Sequence, residues 1–260
     1  AVLVELPFTG KLIWLAEKIV PVLPEENQQM EDRSLVYMTQ LTKVPAPVAL
    51  RQTQREITRM GHIAADNLQR ALDCFFHYNS AKAASVRSHE ESVNILNHLI
   101  ADAMVDLRSL DLSPENMRRV SMMTIAVTDI ERLSDHAENI VEYIEQMNTK
   151  KAEMSDAARK ELIDMSKDAM DAVYMALDIF EKDDYNKLDQ IEILEQHVDD
   201  HEKDLINNHI ERIMNSLCNP LSAVIFSDLV TDLERCSDHA INLAYALKER
   251  PSEMDAPKII

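Results

Sequence analysis

The sequence predicts an all-α protein built from two tandem three-helix bundles related by an approximate twofold axis, with an extra apolar or amphipathic helix at the N-terminus. The chain of 260 residues contains only two glycines and nine prolines, so helix breakers are few in a composition rich in helix formers. A twelve-residue stretch occurs twice, 103 residues apart, as expected for two copies of one structural unit. The residues that open and close helices recur in the same order around each copy.

The first 23 residues form an apolar segment that charged residues interrupt. No uninterrupted apolar run in it reaches the roughly 18 residues that a membrane-spanning helix needs. A helical stripe around residues 11–20 predicts instead a short amphipathic helix, which either packs on the bundle or ends a membrane region. Pro21 ends this helix, and the polar residues 24–44 are expected to form a linker.

Residues 45–148 are predicted to form the first repeat. Its first helix begins at two prolines and ends at a turn marked by Asn79. A second helix covers about 81–110. Ser113 and Pro114 have the order of an N-cap and a first helical position, and they open a third helix that runs to about residue 148.

Residues 155–249 are predicted to form the second repeat, with the same order of elements. A capped helix runs to about residue 180, and a second helix covers about 185–217. Asn219 and the proline after it again have the order of cap and first helical position. They open the last helix, about 220–249, and residues 250–260 are expected to be a tail.

The repeated stretch occupies residues 128–139 (TDIERLSDHAEN) and 231–242 (TDLERCSDHAIN), which agree at nine of twelve positions. On a helix, its Thr, Glu, second Asp and Asn fall in one narrow polar stripe, and its aliphatic residues fall on the opposite side. Each motif helix is therefore expected to bury its aliphatic side and turn an acidic stripe outward. The stripe residues are Thr128, Glu131, Asp135 and Asn139 in the first copy and Thr231, Glu234, Asp238 and Asn242 in the second.

Two carboxylates four residues apart on a helix repel each other, and each such pair destabilises the helix by about 0.2–0.5 kcal/mol. The chain keeps this pair in both copies, as Glu131 with Asp135 and as Glu234 with Asp238. A cation that bridges the carboxylates would explain the pairs, so we expect these four residues to bind metal. Carboxylate oxygens suit Mg²⁺, Mn²⁺, Ca²⁺ or iron better than a structural zinc site.

One such pair supplies too few ligands for a tight site. The shortage favours multinuclear clusters, in which bridging hydroxides or phosphate complete the coordination. Further ligands are expected from the second helix of each repeat, where Glu195 and Asp199 correspond to Glu90 and Asn94. The remaining candidates are the stripe residues Thr128, Thr231, Asn139 and Asn242.

Both copies resemble the signature helix of PhoU-type phosphate-regulatory proteins, in which an E-x-x-x-D motif lies in an ER-x-x-DHA-x-N context once per three-helix repeat. The resemblance extends over nearly all of residues 45–249. It implies a non-catalytic regulator that binds metal through the motif carboxylates, meets phosphate through that metal and controls phosphate uptake. Its expected partners are a transporter membrane domain or phosphate-signalling proteins.

The apolar first 23 residues are similar to the junction at which sodium/phosphate cotransporters pass from their membrane domain into a C-terminal PhoU-like domain. This similarity implies the cytoplasmic domain of a sodium-dependent phosphate transporter, on the cytoplasmic side of the inner membrane. A homodimer is compatible with this expectation.

Two other functions stay open on the sequence. One is a free-standing PhoU-type adaptor, located in the cytoplasm, that contacts a phosphate ABC transporter and a sensor histidine kinase. The other is a helical protein-interaction scaffold without metal, whose acidic stripe is a solvated, salt-bridged face. In that case Arg132 and Arg235 would pair with the acidic residues three positions before and after them.

Composition argues against several other classes. The net charge of −19 argues against nucleic-acid binding. The three cysteines lack C-x-x-C spacing and are expected to be free thiols. The two glycines are too few for a glycine-rich phosphate loop, and no nucleophile has a catalytic context. No histidine follows a glutamate by three residues, which argues against a ferritin-like di-iron site.

His136 and His239 are expected to bond between helices, and His201 and His209 to lie at a surface or interface.

Overall fold

The computed structural model describes residues 32–38 and 40–248. Within these ranges the chain forms six long α-helices and no strand, so the predicted all-α class is confirmed. The predicted N-terminal helix within residues 1–23 and the tail at 250–260 lie outside the described residues. The helices are α1 (Ala46–Phe76), α2 (Ser80–Arg108), α3 (Pro114–Lys150), α4 (Asp156–Lys182), α5 (Leu188–Met214) and α6 (Pro220–Tyr245).

Side-chain caps open four of these helices, three at caps that the sequence predicts and one at the predicted turn. Asn79 accepts from the backbone N–H of Ala81 at 2.8 Å at the start of α2. Ser113, Ser155 and Asn219 cap α3, α4 and α6 in the same way. Each cap satisfies N–H groups that the first helical turn leaves without a partner. The caps therefore fix the ends at which the two motif helices, α3 and α6, begin.

The two repeats pack on each other through α1 against α4 and α3 against α6. Two reciprocal hydrogen bonds join them: Gln54 Nε2 donates to the carbonyl oxygen of Phe180 at 2.6 Å, and Arg159 Nη2 donates to that of Phe76 at 2.7 Å. In each bond, a side chain from the first helix of one repeat donates to a carbonyl group near the C-terminal end of the first helix of the other repeat. Such an exchange of equivalent contacts is what an approximate twofold axis requires.

One continuous hydrophobic cluster contains buried residues from all six helices. The aliphatic sides of both motif helices belong to it, as predicted, and Cys236 is fully buried there. The three cysteines form no disulfide. Among the described helices, none is long and apolar enough to cross a membrane.

Candidate functional site

The two acidic stripes lie on the sides of α3 and α6 that face away from the hydrophobic core. Glu131 and Glu234 are partly buried, whereas Asp135 and Asp238 are exposed. The neighbouring aliphatic residues Leu133 and Leu233 are fully buried. The motif therefore has the two-sided arrangement that its periodicity predicts.

The second helix of each repeat brings further carboxylates to these stripes. In the second repeat, burial raises the pKa of Glu195, and the negative charges of Asp199 and Asp238 raise it further. Burial also raises the pKa of Glu234 to about 7, again helped by Asp238, Glu202 and Asp199. These carboxylates are close enough to repel one another, and we call Glu195, Asp199, Glu234 and Asp238 the acidic cluster of repeat 2.

The first repeat forms a weaker version of this cluster. Burial raises the pKa of Glu90 on α2, with additions from the charges of Glu138, Asp135 and Glu131 on α3. Asn94 stands where the second repeat has Asp199, and its amide donates a hydrogen bond to Glu90. We call Glu90, Glu131 and Asp135 the acidic cluster of repeat 1. It holds one carboxylate fewer than its counterpart.

The carboxylates of the two clusters are ligands of the kind that hard cations prefer. In the described part of the chain, however, no three His, Cys, Asp or Glu side chains converge closely enough to hold a metal ion as they stand. Side chains would have to turn toward a cation to ligate it. Among the secondary candidates, Thr128 already donates its hydroxyl hydrogen to the carbonyl oxygen of Thr124 at 3.3 Å, and Asn242 is exposed beside the cluster.

Four motif residues outside the predicted metal site connect the two repeats. His136 Nδ1 lies 3.0 Å from Asp232 Oδ1, and His239 Nδ1 lies 3.0 Å from Asp129 Oδ1. All four side chains are buried, and the two imidazole rings lie 5.8 Å apart. Because an ionised carboxylate only accepts, each Nδ1–H donates across the repeat interface. The prediction that these histidines bond between helices agrees with this geometry.

In the salt-bridged alternative, Asp129 and Asp232 lie on a solvated face and pair with Arg132 and Arg235. That interpretation is wrong for both residues, because each accepts a hydrogen bond inside the repeat interface. The signal that could have found them is their exact duplication, together with that of the histidines, at a spacing of 103 residues. His209 was expected to lie at a surface or interface. It is buried instead and stacks on Phe226 with ring centroids 4.6 Å apart.

The interface network is not symmetric. Tyr143 donates its hydroxyl hydrogen to Asp232 Oδ2 at 2.8 Å, whereas the corresponding position in the second repeat is Ala246. Asp129 Oδ2 is consequently buried without a hydrogen-bond partner among the described residues. One buried carboxylate is therefore fully bonded and its duplicate is not.

An open cleft of about 520 Å³ lies beside this network and between the exposed sides of the two motif helices. We call it the inter-repeat cleft. Its lining consists of four pairs of motif residues, one member from each repeat: Arg132 with Arg235, Asp135 with Asp238, His136 with His239, and Asn139 with Asn242. The pairs that the salt-bridged alternative requires are not seen: across the described residues, neither arginine of the cleft forms an ion pair.

Comparisons with known proteins agree with this architecture. The profile of the family described as the PhoU domain matches residues 57–144 and 162–247, one match in each repeat. A phosphate-specific transport system accessory protein PhoU homolog from Xylella fastidiosa is 24% identical over 189 residues, which cover 73% of this chain and 79% of the relative.

Two solved structures share the fold. PhoU from Pseudomonas aeruginosa superposes with a TM-score of 0.71 at 20% identity, covering 76% of this chain and 94% of that protein. The phosphate transport system regulatory protein PhoU from Streptococcus pneumoniae gives a TM-score of 0.70 at 17% identity, covering 78% of this chain and 95% of its own length.

Proposed function

The chain belongs to the PhoU family, and from that membership we propose that it regulates phosphate transport and catalyses no reaction itself. The observation that carries the proposal is the double family match, which falls on both repeats and includes both copies of the motif. The name of the Xylella relative, an accessory protein of phosphate-specific transport, points to the same process.

The regulator is proposed to act with metal bound at its two acidic clusters. Support comes from the raised pKa of Glu131, which burial causes and the charge of Asp135 increases, and from the same effect at Glu234. Carboxylates that repel one another at a partly buried surface are stabilised by a cation. Residues Glu131, Asp135, Glu234 and Asp238 would bind it, with Glu195 and Asp199 assisting in the second repeat. Divalent cations or iron fit this oxygen-rich donor set.

Metal analysis and thermal melts test the metal site. The variant Glu131→Gln/Asp135→Asn/Glu234→Gln/Asp238→Asn is expected to lose bound metal. Chelator should lower the melting temperature of the wild type and leave that of the variant unchanged, because only the wild type loses binding free energy. The matched control is Asp102→Asn/Asp106→Asn/Asp200→Asn/Asp204→Asn, which changes the same number of carboxylates, all of them exposed, at two other i,i+4 pairs.

The control should behave like the wild type in metal content and in its response to chelator. If wild type and both variants carry no metal, and all three melt alike with chelator and with added Mg²⁺, Mn²⁺ or iron, the metal site does not exist. The scaffold function without metal then takes its place.

The regulator is further proposed to be the cytoplasmic domain of a sodium-dependent phosphate transporter. Its support is the apolar segment at residues 1–23, which precedes the repeats. The second candidate is a free-standing adaptor, supported by the Xylella relative, most of whose length this chain matches. Detection of the native polypeptide by antibody in membrane and soluble fractions separates them, since only the transporter domain stays in washed membranes as part of a larger chain.

A further inference from the structure

Within the described part of the chain, the two arginines of the inter-repeat cleft form no hydrogen bond or ion pair. Their charges act on neighbouring carboxylates, Arg132 on Glu131 and Asp135 and Arg235 on Glu234. Arg132 and Arg235 are exposed and line the cleft from opposite repeats.

The acidic residues three positions before the two arginines, Asp129 and Asp232, instead accept from histidines of the other repeat. The cross-repeat network thus occupies one of the two carboxylates that could reach each guanidinium group by i,i+3 pairing. The other one, Asp135 or Asp238, lines the cleft beside the arginine.

Two buried histidines line the same cleft in a fixed orientation. Because each Nδ1–H donates to an aspartate, Nε2 is the ring nitrogen left for a ligand. With the hydrogen on Nδ1, Nε2 presents a lone pair, which accepts from the hydroxyl group of an oxyanion that carries a hydrogen. Asn139 and Asn242 add amide groups to the lining, so donors from both repeats surround the space.

This donor set matches a tetrahedral oxyanion. A guanidinium binds two phosphate oxygens through parallel hydrogen bonds, and two guanidiniums from opposite sides would engage more oxygens than one. The cleft of about 520 Å³ leaves room for the anion and several waters. The opposing feature is the pair Asp135 and Asp238, which line the cleft as well and repel an anion until a cation neutralises them.

We propose that the inter-repeat cleft binds inorganic phosphate between Arg132 and Arg235, joining the two repeats through one anion. The choice of phosphate among oxyanions, and the strengthening of its binding by metal at Asp135 and Asp238, rest on the proposed function. The position of the anion rests on the cleft alone. Phosphate bound there would contact both repeats at once, so its presence would tighten the repeat interface.

Equilibrium dialysis of radiolabelled inorganic phosphate tests the site, at low ionic strength, once with chelator and once with Mg²⁺. The variant is Arg132→Gln/Arg235→Gln. Its control is Arg70→Gln/Arg118→Gln, which removes the same charge from two exposed arginines outside the cleft. We expect the cleft variant to bind phosphate at least tenfold more weakly than the wild type and the control to stay within twofold. Arg132→Lys/Arg235→Lys, which keeps the charge without the planar fork, should fall between them.

Metal content and melting temperature are measured on the same samples. The cleft variant should keep the wild-type melting temperature and at least the wild-type metal content, because its change removes positive charge beside the acidic clusters. Phosphate binding by the cleft variant that is less than tenfold weaker than that of the wild type overturns the proposal and assigns the anion to the metal alone. Absence of phosphate binding by the wild type in both conditions also overturns it.

The two proposals fail separately. A wild type that binds phosphate in chelator but holds no metal supports the cleft and contradicts the metal site. A wild type that holds metal but binds no phosphate supports the metal site and contradicts the cleft. Sulfate that competes as well as phosphate contradicts the identity of the ligand, whereas phosphate bound at least tenfold more tightly than sulfate supports it.

Discussion

At the residue scale, the duplicated motif places identical side chains in environments that differ by one hydroxyl group. Asp232 has both carboxylate oxygens bonded, one to His136 and one to Tyr143. Its duplicate Asp129 has one oxygen bonded and one buried without a partner in the described structure. A buried polar atom without a partner costs free energy that a bonded one does not, so the two halves of the interface differ in strength.

Tyr143 is therefore expected to contribute to stability through its hydroxyl group. Tyr143→Phe leaves Asp232 Oδ2 without its donor and should lower the free energy of unfolding by about 1–3 kcal/mol. The control is Tyr174→Phe, whose hydroxyl bonds Asp66 at an exposed site and whose loss should cost less than about 0.5 kcal/mol. Denaturant melts of the three proteins give the comparison, and equal effects of the two substitutions would contradict the ranking.

His209 is expected to make stability depend on pH. Burial lowers its pKa below the ordinary value, despite the hydrogen bond that its Nε2–H donates to Ala223 O at 3.0 Å. The unfolded chain then takes up a proton before the folded protein does, so this residue's stabilising effect is present above about pH 6.5 and is lost as the pH falls through the folded pKa.

The variant His209→Gln should remove that pH dependence. Between about pH 7 and 5, the wild type should lose stability relative to the variant, by at most about 1.4 kcal/mol per pH unit for a single proton. Denaturant melts across this range, in chelator, give the difference between the two proteins. A difference that stays constant with pH would show that His209 does not titrate on unfolding.

At the element scale, Gly61 leaves room for side chains of two neighbouring helices to pack against the backbone of α1. A Cβ atom built there would lie 2.3 Å from Leu177 Cδ2 on α4 and 3.3 Å from Ile130 Cδ1 on α3. Glycine lowers helix stability by about 1 kcal/mol relative to alanine, so its place in the middle of α1 is explained by this contact. The missing side chain lets helices of both repeats meet at one point.

Gly61→Ala is expected to lower the free energy of unfolding by about 1–3 kcal/mol, because overpacking of the core outweighs the gain in helix propensity. In a Leu177→Ala background the same substitution should stabilise by about 0.5–1 kcal/mol, since the clash is gone and the propensity remains. A double-mutant cycle measured by denaturant melts tests this change of sign. If Gly61→Ala has the same sign in both backgrounds, the close approach is not what selects glycine.

Helix order and the two-sided character of the motif helices could be predicted from the sequence, because capping residues and hydrophobic periodicity are local signals. Helix ends that depend on backbone geometry could not. α5 was expected to continue to residue 217, but it ends at Met214, and Ser216 adopts a left-handed φ of 55° that stops it. The contact between His136 and Asp232 joins residues far apart in the chain, and periodicity carries no information about such pairs.

At the scale of the whole molecule, the two repeats offer cations different sites within one fold. The acidic cluster of repeat 2 contains Asp199, with Glu202 nearby, whereas the corresponding positions of repeat 1 are Asn94 and Asn97. Amide oxygens ligate hard cations but carry no charge. Repeat 2 should therefore be the tighter of the two metal sites, and the order in which the sites fill would follow from this difference.

The shared core predicts that the two repeats unfold as a single unit. Buried residues of all six helices form one hydrophobic cluster, and reciprocal bonds through Gln54 and Arg159 close the interface at both ends. Leu68→Ala, a fully buried truncation in α1, should lower the free energy of unfolding by about 2–5 kcal/mol. If unfolding is concerted, the slowest-exchanging amides of α6 should lose the same amount of protection as those of α1, because both exchange only through global opening.

Native-state hydrogen exchange measures both helices in one experiment. Val105→Ala, at a side chain that is 66% exposed in α2, is the control and should change protection in neither helix by more than about 0.5 kcal/mol. Independent repeats would give a different result for Leu68→Ala: amides of α1 would lose protection while those of α6 kept theirs, and calorimetry would resolve two transitions. If the repeats unfold independently, a ligand bound in the cleft between α3 and α6 would act by holding the two repeats together. If unfolding is concerted, the same ligand would stabilise the whole folded protein.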